Sequence, residues 1–206
     1  MAIIAKNSGG DFKLVPEGSH PAVCDMVVDL GIQQGGRFDP KHQVYLRWQI
    51  PGERIKIDNE DKPAIIGRTF TLSLSDKSNL RPFLRTWRGR DFTSEEIRGF
   101  DITKLAGQPC LLSVTHREGN DGNTYADAAG AMKLPEGMPA PKAEGEVIVY
   151  DDEHLDAFDK LRPWLQDKIK NQLQSRDSGP APGSNHYTDG TRQAAFDTDL
   201  DDDVPF

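Results

Sequence analysis

The sequence predicts a mainly β fold: a five-stranded barrel with a helix between strands 3 and 4, then a C-terminal helical segment and a disordered acidic tail. Three observations predict it. Apolar and polar residues alternate with period two in several short stretches, most cleanly from Gln43 to Ile50. One stretch, Leu80 to Trp87, repeats its apolar residues at helical spacing instead. The charge is also unevenly divided: residues 1–150 hold 19 Lys+Arg against 20 Asp+Glu, whereas residues 151–206 hold 6 against 13.

The elements follow in order. Residues 1–19, rich in Gly, Ser and charge, form an N-terminal extension. His20 to Leu30 reads as a strand ending at Gly31, and Gly35 to Pro40 as a turn. In the next strand Val44, Leu46, Trp48 and Ile50 face the core, and Gln43, Tyr45, Arg47 and Gln49 face away. Residues 51–67 are polar with two prolines and predict a long loop. Arg68 to Ser75 alternates again, with Phe70, Leu72 and Leu74 inward and Thr69, Thr71 and Ser73 outward. Ser78 is placed to cap a helix whose first turn holds Pro82 and whose apolar face is Leu80, Phe83, Leu84 and Trp87. Gly89 ends it, and Thr93 to Glu96 predicts a capping box. Cys110 to Arg117 and Thr124 to Met132 are strands joined by the turn signal Asn120-Asp121-Gly122-Asn123. Residues 134–145 read as a linker and Glu146 to Tyr150 as an extra strand. Asp151 to Leu173 is helical, interrupted at Pro163, with Leu155, Phe158, Leu165, Ile169 and Leu173 along one side. From Ser175 onward too few large apolar residues remain to offset backbone entropy, which predicts disorder.

Strand, strand, strand, helix, strand, strand is the order of an OB-type barrel, a fold that binds oligonucleotides across one face. The segments are therefore 1–19, a 20–150 barrel, 151–174 and a 175–206 tail.

Composition narrows the function. The chain has 206 residues, 36% hydrophobic, and no apolar run near the ~18 needed to span a bilayer. With no signal-peptide core, an intracellular protein is expected. Cys24 and Cys110 are expected as buried free thiols, and the five histidines are scattered without zinc spacing. Asp58, Glu60 and Asp61, or Asp151-Asp152-Glu153, could bind a divalent ion. They read more simply as a solvated loop and as helix N-terminal charge. No enzyme, metal or cofactor is expected.

The chain ends Asp201-Asp202-Asp203-Val204-Pro205-Phe206, with Asp199 extending the acidic run. This end resembles the C-terminal tip of bacterial single-stranded DNA-binding proteins. The resemblance implies a docking peptide for host replication and repair proteins. Phe206 would enter an apolar pocket while its carboxylate meets a cation. A second resemblance lies in Ser78-Asn79-Leu80-Arg81-Pro82-Phe83-Leu84, in Trp87 to Glu96, and near Tyr45-Leu46-Arg47-Trp48. Roughly residues 20–135 are similar to a family of bacteriophage single-stranded DNA-binding proteins. That resemblance implies an OB barrel that coats single-stranded DNA in replication and recombination within the bacterial host cytoplasm. The alternative is a decoy that occupies host tail-binding pockets without binding DNA.

Such binders need rings for bases and cations for phosphates. Tyr45 and Arg47 on the outward face are the first candidates. Arg37, Phe38 and Lys41 form a basic-aromatic approach to that strand. Trp48 shares the core row and reads either as core or as a stacking ring; Tyr125 either stacks or fills the barrel. Lys77, Arg81, Arg85 and Arg88 fall on one helical face, extended by Arg90 and Arg68, and read either as a phosphate ridge or as a solvated face. A homo-oligomer is compatible with this reading.

Overall fold

The computed structural model describes residues 14–35, 38–57, 59–119 and 121–173. They lie within one compact unit. The strands are β1 (Gly18–Gly35), β2 (Phe38–Ile57), β3 (Glu60–Thr71), β4 (Pro109–Glu118), β5 (Thr124–Met132) and the short β6 (Ile148–Tyr150). Between β3 and β4 lie α1 (Leu80–Arg88), α2 (Ser94–Arg98) and a 3-10 turn. After β6 come a second 3-10 turn (Leu155–Lys160) and α3 (Pro163–Lys170).

The five long strands form one curled antiparallel sheet in the order β3-β2-β1-β4-β5. Long β1 belongs to both halves: its first residues pair with β4 and the rest with β2. A register shift between Cys24 and Met26 bends it where it changes partner. The path ends, β3 and β5, are bridged by Arg68, whose guanidinium donates to the Ala128 carbonyl.

The core row of β2 is as expected: Val44, Leu46, Trp48 and Ile50 are all buried. They meet Phe83, Leu84 and Trp87 of α1 inside the curl. Burying each large side chain contributes about 1.5–3 kcal/mol. The Trp87 indole N–H donates to the Pro109 carbonyl at 3.0 Å, tying α1 to β4. Gly89 takes the left-handed conformation at φ 69° that ends α1. The Thr93–Glu96 capping box forms with both of its hydrogen bonds. Cys24 and Cys110 are buried free thiols; burial raises both pKa values, that of Cys110 to about 12.

The structure corrects several boundaries: β2 begins at Phe38, inside the expected turn, β3 ends at Thr71 rather than Ser75, and two further changes are larger. Residues 51–67 are not a long loop, because β2 continues to Ile57 and β3 begins at Glu60. A register shift between Ile50 and Arg54 absorbs Pro51, and Pro63 sits on β3, the terminal strand of the sheet path, the kind of strand on which proline is tolerated. Nor does β1 end at Gly31. Gly31, at φ 66°, forms an irregularity in the register, and its N–H donates to Asp29 Oδ1 at 2.7 Å while the strand runs on.

The 151–173 segment is divided at Pro163, which starts α3. Leu161, Leu165 and Ile169 pack against Met26, Val28 and Leu30 of β1 in a second, smaller core. Leu155 and Leu173 of the expected apolar side remain exposed. This second core holds α3 on the outer face of the sheet. Leu173 N–H donates to the Ile32 carbonyl at 2.8 Å, and Gln33 Nε2 to the Lys168 carbonyl at 3.0 Å.

Candidate functional site

Strand alternation puts Gln43, Tyr45 and Arg47 opposite the core row, and the β2–β3 register sets them beside Thr71, Thr69 and Gly67. Two concavities occupy this outward strip. The first, of about 660 Å³, is lined by Lys41, Arg68, Lys77 and Lys168. Its remaining polar lining is Gln43, Asn79 and the hydroxyls of Thr69, Thr71, Ser73, Ser75 and Ser78; no carboxylate lines it. Among the described residues, Lys41, Lys77 and Lys168 form no ion pair. The cleft is therefore positive and rich in donors, the combination that holds phosphate oxygens.

Arg68 reaches this cleft from the core row, opposite Leu46. Its guanidinium lies 5.1 Å from the Phe70 ring centroid and 6.0 Å from that of Phe83. It closes the β3–β5 seam and faces the cleft at once.

The second concavity, of about 490 Å³, is lined by Tyr45, Arg47, Tyr125, Arg162 and Trp164, with Ile55, Ile57 and Ile65 among its apolar walls. Tyr45 and Trp164 meet edge to face, centroids 5.1 Å apart at 88°. Tyr45 lies against Gly67, where a Cβ would fall 1.8 Å from the phenol oxygen. Burial raises its pKa. Tyr125 is 45% exposed. Its hydroxyl donates to Asp121 Oδ2 at 2.5 Å, which raises the phenol pKa and lowers that of the carboxyl to about 2.

Arg47 is half-buried and engaged. Its guanidinium donates to both oxygens of buried Asp25, Nη2 to Oδ2 at 2.7 Å, and Gln49 Nε2 donates to the same carboxylate at 2.8 Å. Gln49 also exchanges hydrogen bonds with the Glu144 backbone. Arg47 thus neutralises a buried charge, and its net contribution to an anion is reduced.

Other expected contacts fall elsewhere. Trp48 is 0% exposed, packed against Phe83 and Trp87, so its ring is core and unavailable to a base. The α1 ridge is largely consumed by carboxylates. Arg81 pairs with Asp76, and Arg88 and Arg90 both pair with Glu96. Arg88 is also stacked 4.3 Å from Phe92 and 4.8 Å from Phe100. Bonds from Arg90, then from the Thr93 backbone and Arg88, hold the Glu96 pKa near about 2. Arg85 stays exposed, 4.0 Å from Asp91. Arg37, the Phe38 side chain and the whole tail (Asp199, Asp201, Asp202, Asp203, Val204, Pro205 and Phe206) lie outside the described residues.

Sequence reasoning missed Lys168, Trp164 and Arg162. The available signal was Trp164, an aromatic just after Pro163 and out of step with the Leu165–Ile169 apolar pair. It also passed over Thr69 and Thr71, though their outward direction was legible from alternation.

Among the described residues no group of three or more His, Cys, Asp or Glu side chains is arranged to hold a metal ion, and no helix is long and apolar enough to cross a membrane. Comparisons with protein-family models, curated proteins and solved structures found no match to this chain.

Proposed function

We propose that this chain binds single-stranded DNA along the outward face of β2 and β3, coating it during replication and recombination. The observation that carries the reading is the carboxylate-free cleft of Lys41, Lys77, Arg68 and Lys168, followed along the β2–β3 register by a separate aromatic groove. Cations and hydroxyls at one end suit phosphates, and rings at the other suit unpaired bases. The strand order, the β1 shared between both halves and the helix after β3 support an OB-type barrel, whose usual ligand face is this one. By resemblance, the acidic segment Asp199 to Phe206 serves as a docking peptide for host replication and repair proteins, and on this reading the protein acts in the cytoplasm of a bacterial host.

The test is fluorescence anisotropy of a labelled oligothymidine across a salt series, with a duplex of the same length as comparison. The expected result is tight, salt-sensitive binding of the single strand and much weaker binding of the duplex. Equal affinity for both, or none for the single strand at low salt, refutes the reading; the latter leaves a tail-bearing decoy.

A further inference from the structure

The aromatic groove has walls from the β strands, from the C-terminal helix with Arg162 before it, and from Leu14 and Val15 ahead of β1. We infer that Trp164 on α3 is the principal base-stacking residue, so that α3 is a working half of the nucleic-acid groove. This rests on the single-strand reading above.

Three rings line the groove, and they are not equivalent. Tyr45 is half-buried, with Gly67 beneath it and Trp164 against it. Tyr125 is exposed, but its hydroxyl is tied to Asp121, an anion that repels a neighbouring phosphate. Trp164 is 42% exposed. Its T-shaped contact with Tyr45 fixes the ring while covering at most one face of it.

Two cations flank Trp164 and line the concavities, whereas Asp167, the carboxylate on the same helix, lines neither. Arg162, two residues earlier, lines the same groove and forms no ion pair among the described residues. Lys168, four residues later, lines the cationic cleft. Positions i and i+4 share a helix face and are about 6 Å apart along its axis. That separation is on the scale of one nucleotide. A base on Trp164 therefore leaves its neighbouring phosphate within reach of Lys168.

The arrangement has a thermodynamic consequence. A strand held by both β2–β3 and α3 binds only the docked form of α3, so binding stabilises that docking by mass action.

The experiment uses the full chain and its own tryptophans. Trp48 and Trp87 are 0% and 4% exposed, which leaves Trp164 as the half-exposed reporter. Unlabelled oligothymidine is expected to quench the emission of the unaltered protein. The quench is expected to vanish in Trp164→Phe, which keeps most of the affinity because a phenyl ring still stacks. Trp164→Ala is expected to lose roughly 5- to 150-fold in affinity, the value of one stacked base, with its salt dependence unchanged. If the unaltered protein binds without quenching, or if Trp164→Ala binds as tightly, this inference is overturned and the single-strand reading stands. If the unaltered protein does not bind, both fall together. If Trp164→Ala fails to fold, the quench and its loss in Trp164→Phe decide the matter alone.

Discussion

Replacing Lys41, Lys77 and Lys168 together by alanine separates phosphate contacts from decoration. Each lysine lines the same cleft, and none has a carboxylate partner among the described residues. If each neutralises one phosphate, the triple variant loses about 2 from the log–log slope of affinity against salt, at roughly 0.7 per contact for a single strand. Between roughly 50 and 200 mM salt that difference amounts to about a 20-fold change in relative affinity. The unaltered protein therefore loses about 20-fold more affinity over this range than the variant. The assay is anisotropy of a labelled oligothymidine at five or more salt concentrations. Arg90→Ala is the comparison, since Arg90 is spent on Glu96 and lies outside the cleft. Its slope is expected to stay within half a contact of the unaltered value. A triple variant with the original slope would remove the cleft from the interface, and a larger effect at Arg90 would move the interface to α1.

Three further outcomes follow from the packing. Asp25→Ala strips a buried carboxylate from Arg47 and Gln49, and urea unfolding is expected to show a loss of about 3–5 kcal/mol; a loss under 1 kcal/mol contradicts a buried pair. Gly67→Ala puts a Cβ where the Tyr45 hydroxyl sits, so a loss of about 1–3 kcal/mol and a shifted Trp164 emission are expected. Unchanged emission would mean that Tyr45 does not rest on that glycine. His154 Nδ1 lies 2.7 Å from Asp151 Oδ1, and this bond and charge raise the imidazole pKa above 6.5. The contribution to stability is present below that ordinary value and lost as pH rises through the raised one. A proton NMR titration should show the raised value, and Asp151→Asn should return it to the ordinary range; equal values in both proteins refute the pairing.

Periodicity made the β2 core row, the α1 face and the capping box legible, because each depends on spacing within a few residues. The extent of the β2–β3 hairpin was hidden because its prolines and charges resemble a loop. Only the register shows that one proline sits in an irregularity and the other on the terminal strand of the sheet path. The site was legible in half. Outward Tyr45, Arg47, Thr69 and Thr71 follow from alternation. That Arg47 is held by Asp25, 22 residues away, does not follow, nor does the placing of Lys168 and Lys41 on one cleft. Those contacts depend on β1 bending and on α3 docking, which join distant parts of the chain. Trp48 shows the limit of residue type alone: an indole in a core row is buried whatever its stacking power.

The pairing pattern also resolves how a chain with net charge −8 presents a positive surface. Its cations divide by what surrounds them, and the ones held by several contacts at once are arginines, while Lys62, Lys104 and Lys160 each pair with a carboxylate. The planar guanidinium of Arg88 stacks on Phe92 and Phe100 while bonding Glu96; that of Arg47 forks onto Asp25; that of Arg68 lies on rings and caps a carbonyl across the seam. Such multiple contacts need a rigid, flat donor, and arginine supplies it. The ammonium groups of Lys41, Lys77 and Lys168, unpaired among the described residues, are compact charges over a hydroxyl-lined floor. Field at a cleft depends on nearby charges more than on the total, because distant ones are screened within about 10 Å at ordinary salt. Arginines that hold the fold are therefore poor choices for a binding variant, and the three lysines are the informative ones. A variant with Arg88 replaced would lose affinity through lost packing, whereas one without the lysines would keep its stability and lose about 2 from its salt slope.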